Sequence, residues 1–196
     1  MYYGCTCREN RAYILPVYNH ISSKQIGFLI CISLSMEEQA HPKWRGKSCA
    51  QVNGHAAQEV WPLLADFCNL HKIFPKVETC YQLEEVAGQT GIVRYCAGFA
   101  TNKDKSTVKW CKERLLMIDP IERCFSYEVI DSNMGFQSYI AIMRVVPIDD
   151  GSSMIEWSFV SDPSEGKRME DVQSFGEFSL QSIAKKIELV LTNSTS

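Results

Sequence analysis

A chain of 196 residues, 45% hydrophobic and 22% charged, has the composition of a globular protein and enough length for one well-cored domain. Its 20 Lys+Arg against 23 Asp+Glu leave a formal charge of −3. Disorder and low complexity are excluded, and the basic excess of a nucleic-acid binder is missing.

The first 40 residues read differently from the rest. Their one long apolar run, Ile26 to Leu34, is well short of the ~20 residues that cross a bilayer. Lys24 before it and small Ser33 and Ser35 at its end give the run the outline of a signal-peptide core. Against that, a segment of mixed polarity precedes it, and Met36 opens an ordinary soluble start, Met-Glu-Glu-Gln-Ala. Residues 1–40 are therefore expected to be an extension, disordered or upstream of the true start, and the protein cytoplasmic. A signal peptide over residues 1–35 would make it secretory instead.

Lys43–Asn53 reads as a first strand. His55–Asp66 reads as a helix with Val60, Leu63 and Leu64 on one stripe, and Pro62 inside it demands a late start or a kink. Asn69–Phe74 could form a second short helix, stopped by Pro75. From Val77 the hydrophobic period becomes two, in the runs Val77–Val86, Ile92–Ala100, Thr107–Met117, Cys124–Ile130, Phe136–Ile148 and Met154–Val160. Turn signals at 87–91, 102–105, 119–120, 132–135 and 149–151 separate them. A long helix, Pro163–Leu191, follows. Val172, Phe175, Leu180, Ile183, Ile187, Val190 and Leu191 recur at spacings of mostly three and four, with acidic residues early and Lys185 and Lys186 late.

This order predicts an α+β helix-grip fold: a seven-stranded curved antiparallel sheet around a long C-terminal helix, with two short helices after strand 1. It is expected to be a single domain over residues 41–192 with a tail at 193–196, and a monomer. A sheet curled around one helix leaves room between them, and such cavities take small apolar ligands.

Strand alternation sorts the polar candidates. Arg94 and Cys96 share a face of one strand; Lys112 and Arg114 on the next suggest a wetted face, which turns Cys111, Glu113 and Leu115 inward. Tyr139, Ala141 and Met143 share a face, as do Ile155, Trp157 and Phe159. If these faces converge, Arg94, Glu113 and Tyr139 meet inside an apolar pocket lined by Cys96, Cys111, Leu115, Ala141, Met143, Trp157 and, from the helix, Phe175. There Glu113 could relay a proton, Arg94 hold an oxyanion and Tyr139 donate a hydrogen bond. The plainer alternative is an internal salt bridge or a surface-facing strand charge.

Nine cysteines form no Cys-x-x-Cys pair, and Cys5-x-Cys7 has no second pair or histidine cluster to complete a zinc site. The six after residue 40 are scattered singly among apolar neighbours, as reduced, packed side chains are. No phosphate loop or dinucleotide motif occurs, and His55 and His71 stand isolated. Neither metal nor organic cofactor is expected.

Several segments together resemble the plant members of the START-like, birch-pollen-allergen-like superfamily of polyketide cyclase/dehydrase and lipid-transport proteins. They are Lys43–Lys47, Asp66–Lys72, Val93-Arg94-Tyr95, Trp110–Leu115, Gly135–Tyr139 and Glu156–Phe159, and the likeness spans residues 43–191. Within that superfamily the chain is most similar to lachrymatory factor synthase-like proteins. The resemblance implies that Glu113 shuttles a proton while Arg94 and Tyr139 orient the oxygen of a sulfenic acid on its way to a thial S-oxide. Abscisic-acid receptors share a Lys-Glu-Arg-Leu segment, here Lys112–Leu115. Their Ser-Gly-Leu-Pro-Ala gate is replaced by Ala97-Gly98-Phe99-Ala100-Thr101, however, and their His-Arg-Leu latch is missing. Two functions follow as expectations: a pocket protein for a small apolar plant metabolite with an acidic or oxyanionic group, or a cofactor-free isomerase.

Overall fold

The computed structural model describes residues 42–83, 90–99, 107–148 and 151–194. The N-terminal extension and the turn expected at 102–105 lie outside them, as do most residues of the turns at 87–91 and 149–151.

Strand β1 (Trp44–Val52) leads into α1 (Ala57–Ala65) and a 3-10 helix (Phe67–Lys72). Six strands follow: β2 (Thr79–Gln82), β3 (Val93–Phe99), β4 (Val108–Asp119), β5 (Cys124–Ser132), β6 (Ile140–Pro147) and β7 (Ser153–Ser161). Helix α2 (Met169–Ser194) closes the chain. All seven strands form one antiparallel sheet in the order β1-β7-β6-β5-β4-β3-β2. This is the helix-grip α+β architecture. β1 and β2, neighbours in sequence, occupy opposite edges because α1 and the 3-10 helix carry the chain from one edge to the other.

Local chemistry sets the boundaries. Glu59 accepts a hydrogen bond from the Ala56 N–H, half of a capping box, and so opens α1 before Pro62 rather than at it. Pro62 lies inside the helix, which ends three residues later. The second short helix is 3-10 and begins at Phe67, two residues before the expected Asn69, with the Asn69 side chain donating to Asp66. β6 starts at Ile140 instead of Phe136, because Gly135 (φ +72) and Ser138 (φ +48) take left-handed backbone that no strand accommodates. α2 starts at Met169 instead of Pro163: Gly166 (φ +71) turns the chain, and the Asp171 carboxylate then accepts the Arg168 N–H. The helix runs on through Asn193 and Ser194, half of the expected tail.

The core lies between the sheet's inner face and the helices. α2 contributes Val172, Leu180, Ile183, Ala184 and Ile187, and α1 contributes Ala57, Val60, Trp61 and Leu64. Each fully buried aliphatic here stabilises the fold by about 1.5–3 kcal/mol. A close crossing fixes how the turn after the 3-10 helix sits on the sheet: a Cβ added to Gly98 would overlap the Lys76 carbonyl oxygen. Backbone cannot yield as a side-chain tip can, so Gly98→Ala is expected to cost about 1–3 kcal/mol. An unchanged denaturant midpoint in that variant would contradict the crossing.

Candidate functional site

β3 and β4 pair so that Arg94 faces Glu113 directly. Both are buried, at 3% and 8% exposure. Arg94 Nε and Nη2 both reach Glu113 Oε2 at 2.6 Å, while Nη1 donates to the Phe67 carbonyl at 2.6 Å. The guanidinium also lies 3.9 Å from the Phe67 ring centroid and 5.5 Å from that of Tyr127. The 3-10 helix therefore supplies both an acceptor and a stacking face, which lock the fork in one orientation. Burial works against the charge on Arg94, but nearby groups, the Glu113 carboxylate first among them, reverse that and hold the proton more tightly than in a free arginine. Because both charge-pair contacts fall on Oε2, Arg94 leaves Oε1 uncommitted to it.

The outward neighbours behave as alternation requires. Lys112 pairs with Asp131 and Arg114 with Glu128 on the sheet's outer face. Register shifts between Lys112/Glu113 and between Leu115/Met117 bracket the carboxylate. The extra residues are Ile130 of β5 and Leu116 of β4, so the inward alternation of Cys111, Glu113 and Leu115 runs unbroken past the first shift while the sheet bends around it.

Tyr139 sits just ahead of β6 at 6% exposure, stacked on Phe159 with ring centroids 5.3 Å apart and tilted against Phe136 at 5.0 Å. A second tyrosine, Tyr127 of β5, joins the site without any sequence motif to mark it. It lies opposite Leu115 and Ala141 and is 3% exposed. The alternation Phe125, Tyr127, Val129 was the signal that could have found it. Burial, then the nearby Glu113 charge, push both phenols above their usual range, so both stay protonated. Neither hydroxyl has a hydrogen-bond partner among the described residues.

Leu115, Ala141 and Met143 are buried in the same core. Trp157 packs against that core half-buried, and its indole Nε1 is enclosed with no acceptor among the described residues. Phe175 departs from the expectation: it is 45% exposed, with the Lys76 ammonium 5.6 Å from its ring centroid. The helix's apolar stripe is broader than its buried face, and Phe175 falls on the uncovered flank.

Cys96 and Cys111 lie two pairs further along the ladder from Arg94 and Glu113, on the same face and both buried. The register adds a third thiol that no motif announced: Cys80 of β2 opposes Cys96, with the two Sγ atoms 3.3 Å apart. The three form a separate small cluster packed by Leu70, Val77, Val129 and Met134. All are free thiols. The contact with Cys96, followed by burial, raises the Cys80 thiol, and the contact with Cys111 raises that of Cys96. Cys80 and Cys96 are therefore neutral, unreactive sulfurs.

Raised acidic groups carry a pH signature. The fold keeps protons on Cys96, Tyr127 and Tyr139 that the unfolded chain releases above its ordinary values of 9.0 and 10.0. Their contribution is whole below pH 9 and is lost as pH rises, by about 1.4 kcal/mol per pH unit for each group. Under reducing conditions the denaturant midpoint is expected to fall from about pH 9 and more steeply past pH 10. A midpoint independent of pH across that range would contradict the burial of these groups.

Among the described residues no group of His, Cys, Asp or Glu is placed to hold a metal ion, and no helix is long and apolar enough to cross a membrane. The family model for polyketide cyclase / dehydrase and lipid transport matches residues 50–188, a span that includes Arg94, Glu113, Tyr127 and Tyr139. Among solved structures, the protein XoxI from Bacillus cereus superposes with a TM-score of 0.62 at 17% identity, over 78% of this chain and 98% of that one. That likeness concerns the fold alone. With a family match over most of its length and the helix-grip architecture behind it, the chain belongs to the polyketide cyclase/dehydrase and lipid transport family.

Proposed function

We propose that this protein binds a small apolar metabolite bearing one weakly acidic hydroxyl, held at Arg94, Glu113, Tyr127 and Tyr139. One observation carries the reading. A buried, charge-neutral Arg–Glu pair leaves one carboxylate oxygen uncommitted to its arginine, the Tyr127 ring lies 5.5 Å from the guanidinium, and Tyr139, also buried, is hydrogen-bonded through its carbonyl to Val129 of the same strand as Tyr127. A ligand's polar atom placed among these groups would gain a charge-assisted hydrogen bond to the carboxylate and a hydrogen bond from a phenol. A permanently ionised ligand would meet Glu113 as a like charge, since Arg94 is already neutralised. A protonated X–OH fits better: its hydrogen is given to Glu113 and its oxygen accepts from a phenol. Cys96, Cys111, Leu115, Ala141, Met143 and Trp157 would border the apolar remainder.

Native mass spectrometry of the full chain purified from its source tissue tests this reading. A co-purified apolar molecule with one weakly acidic hydroxyl is expected. A protein that carries no such molecule, and takes up none from a tissue extract, would refute it.

A second reading deepens the first and follows the lachrymatory factor synthase resemblance. An alkenyl sulfenic acid becomes a thial S-oxide by moving its hydroxyl proton to the alkene carbon, with no change in composition and no cofactor. Glu113 would take the O–H proton and deliver one to carbon, with the phenols of Tyr139 and Tyr127 holding the oxygen as charge builds. Arg94 would position Glu113. The uncommitted carboxylate oxygen favours this reading, since an acid–base group needs a free lone pair.

A further inference from the structure

One flank of α2 is apolar and uncovered. Phe175, Phe178 and Leu189 are 45%, 57% and 53% exposed and share a stripe with Ser182, Lys185 and Lys186. The core does not explain them, because Val172, Leu180, Ile183 and Ile187 already fill the helix's buried face. The segment after the 3-10 helix lies alongside. Pro75 joins Ser182, Lys185, Lys186 and Leu189 in lining an open groove, and Lys76 sets its ammonium 4.3 Å from the Phe178 ring centroid. This groove shares no residue with the Arg94–Glu113 cluster.

Charge on the stripe is one-sided. It holds three lysines, Lys76, Lys185 and Lys186, and no unpaired carboxylate. Asp171, one turn before Phe175, is paired with Arg168. Glu177 and Glu188 lie on the other flank, where they accept from Gln173 and from Asn53. A local basic excess in a chain of net charge −3 calls for an anionic partner. Three large apolar side chains are too few for a stable protein interface, which takes roughly 20–30 residues a side. Aromatic rings beside lysine ammoniums are instead the make-up of a helix face that lies in a lipid headgroup layer.

We infer that this face of α2 docks reversibly on an anionic lipid surface. Phe175 and Phe178 enter the boundary between headgroups and acyl chains, while Lys76, Lys185 and Lys186 meet the lipid anions. The inference is independent of which ligand the Arg94–Glu113 site takes.

Vesicle sedimentation of the full chain tests it, with phosphatidylcholine vesicles prepared with and without phosphatidylserine. Binding is expected to the anionic vesicles, weaker by tenfold or more to the neutral ones, and released by added salt. Phe175→Ser/Phe178→Ser and Lys185→Glu/Lys186→Glu should each lose roughly tenfold or more of that binding. The substituted side chains lie outside the core, so circular dichroism and melting temperature should stay at wild-type values. Absence of binding to anionic vesicles at low salt, equal binding to both kinds, or wild-type binding by the variants would each overturn the inference. So would a concentration-dependent dimer abolished by Phe175→Ser/Phe178→Ser, which would assign the face to a second copy of the chain.

Discussion

Replacing Arg94 by Met should cost about 3–5 kcal/mol, far more than the loss of any pair on the surface. The variant strands the Glu113 carboxylate at 8% exposure, with its Arg94 contacts removed, and takes the donor from the Phe67 carbonyl. It also removes the stacking on Phe67, worth about 0.5–2 kcal/mol by itself. An exposed pair such as Lys47–Glu156, with side chains 51% and 29% exposed, contributes only about 0–1 kcal/mol. The double variant Arg94→Met/Glu113→Leu should recover most of the loss, because two apolar side chains of similar volume avoid the desolvation of two ions. Denaturant unfolding of both singles and the double, at constant m-value, gives the coupling directly. If the double variant were as unstable as the sum of the singles, the pair would not be acting as one buried unit.

That stability result bears on function. If the pair could be exchanged for apolar residues at little cost in stability, its retention would point to what it does for a ligand. Glu113→Gln separates the two proposed roles. The amide keeps the shape and one acceptor oxygen but cannot take a proton at neutral pH. In the isomerase case, turnover of an enzymatically generated alkenyl sulfenic acid should fall by about 10²–10⁴-fold, the usual contribution of a positioned acid–base group. Ligand affinity should change far less. Loss of rate with retained affinity marks catalysis; equal modest losses in both mark a binding site alone. Wild-type turnover by the variant would remove Glu113 from the chemistry. Melting temperature must be followed in parallel, since the variant weakens the partner of Arg94.

Much of the site was legible because a two-residue period leaves little freedom once one face is known to be wet. Two basic residues at Lys112 and Arg114 mark the wet face, which turns Cys111, Glu113 and Leu115 inward, where they lie. Arg94 and Cys96 followed from their own strand. Facts of pairing were not legible in this way. That Cys80 would stand opposite Cys96, and Arg94 opposite Glu113, depends on inter-strand register, which no single strand encodes. The Phe67 carbonyl belongs to a backbone turn and leaves no mark in side-chain pattern. Ser138 in left-handed backbone hid the true start of β6, since glycine is the usual sign of that conformation. Phe175 was misplaced for the opposite reason: spacing shows which residues share a stripe of a helix, but not how much of the stripe the sheet covers.

On the function proposed above, the buried Arg–Glu pair and its two phenols recognise the acidic hydroxyl of an apolar ligand. The most direct test exposes ligand-free wild type and the Arg94→Met/Glu113→Leu variant to the same small-molecule extract and compares what each retains by native mass spectrometry. Wild type should retain an apolar molecule with one weakly acidic hydroxyl, and the variant should lose it while keeping its fold. Retention of the same molecule in the same amount by both proteins would contradict the account.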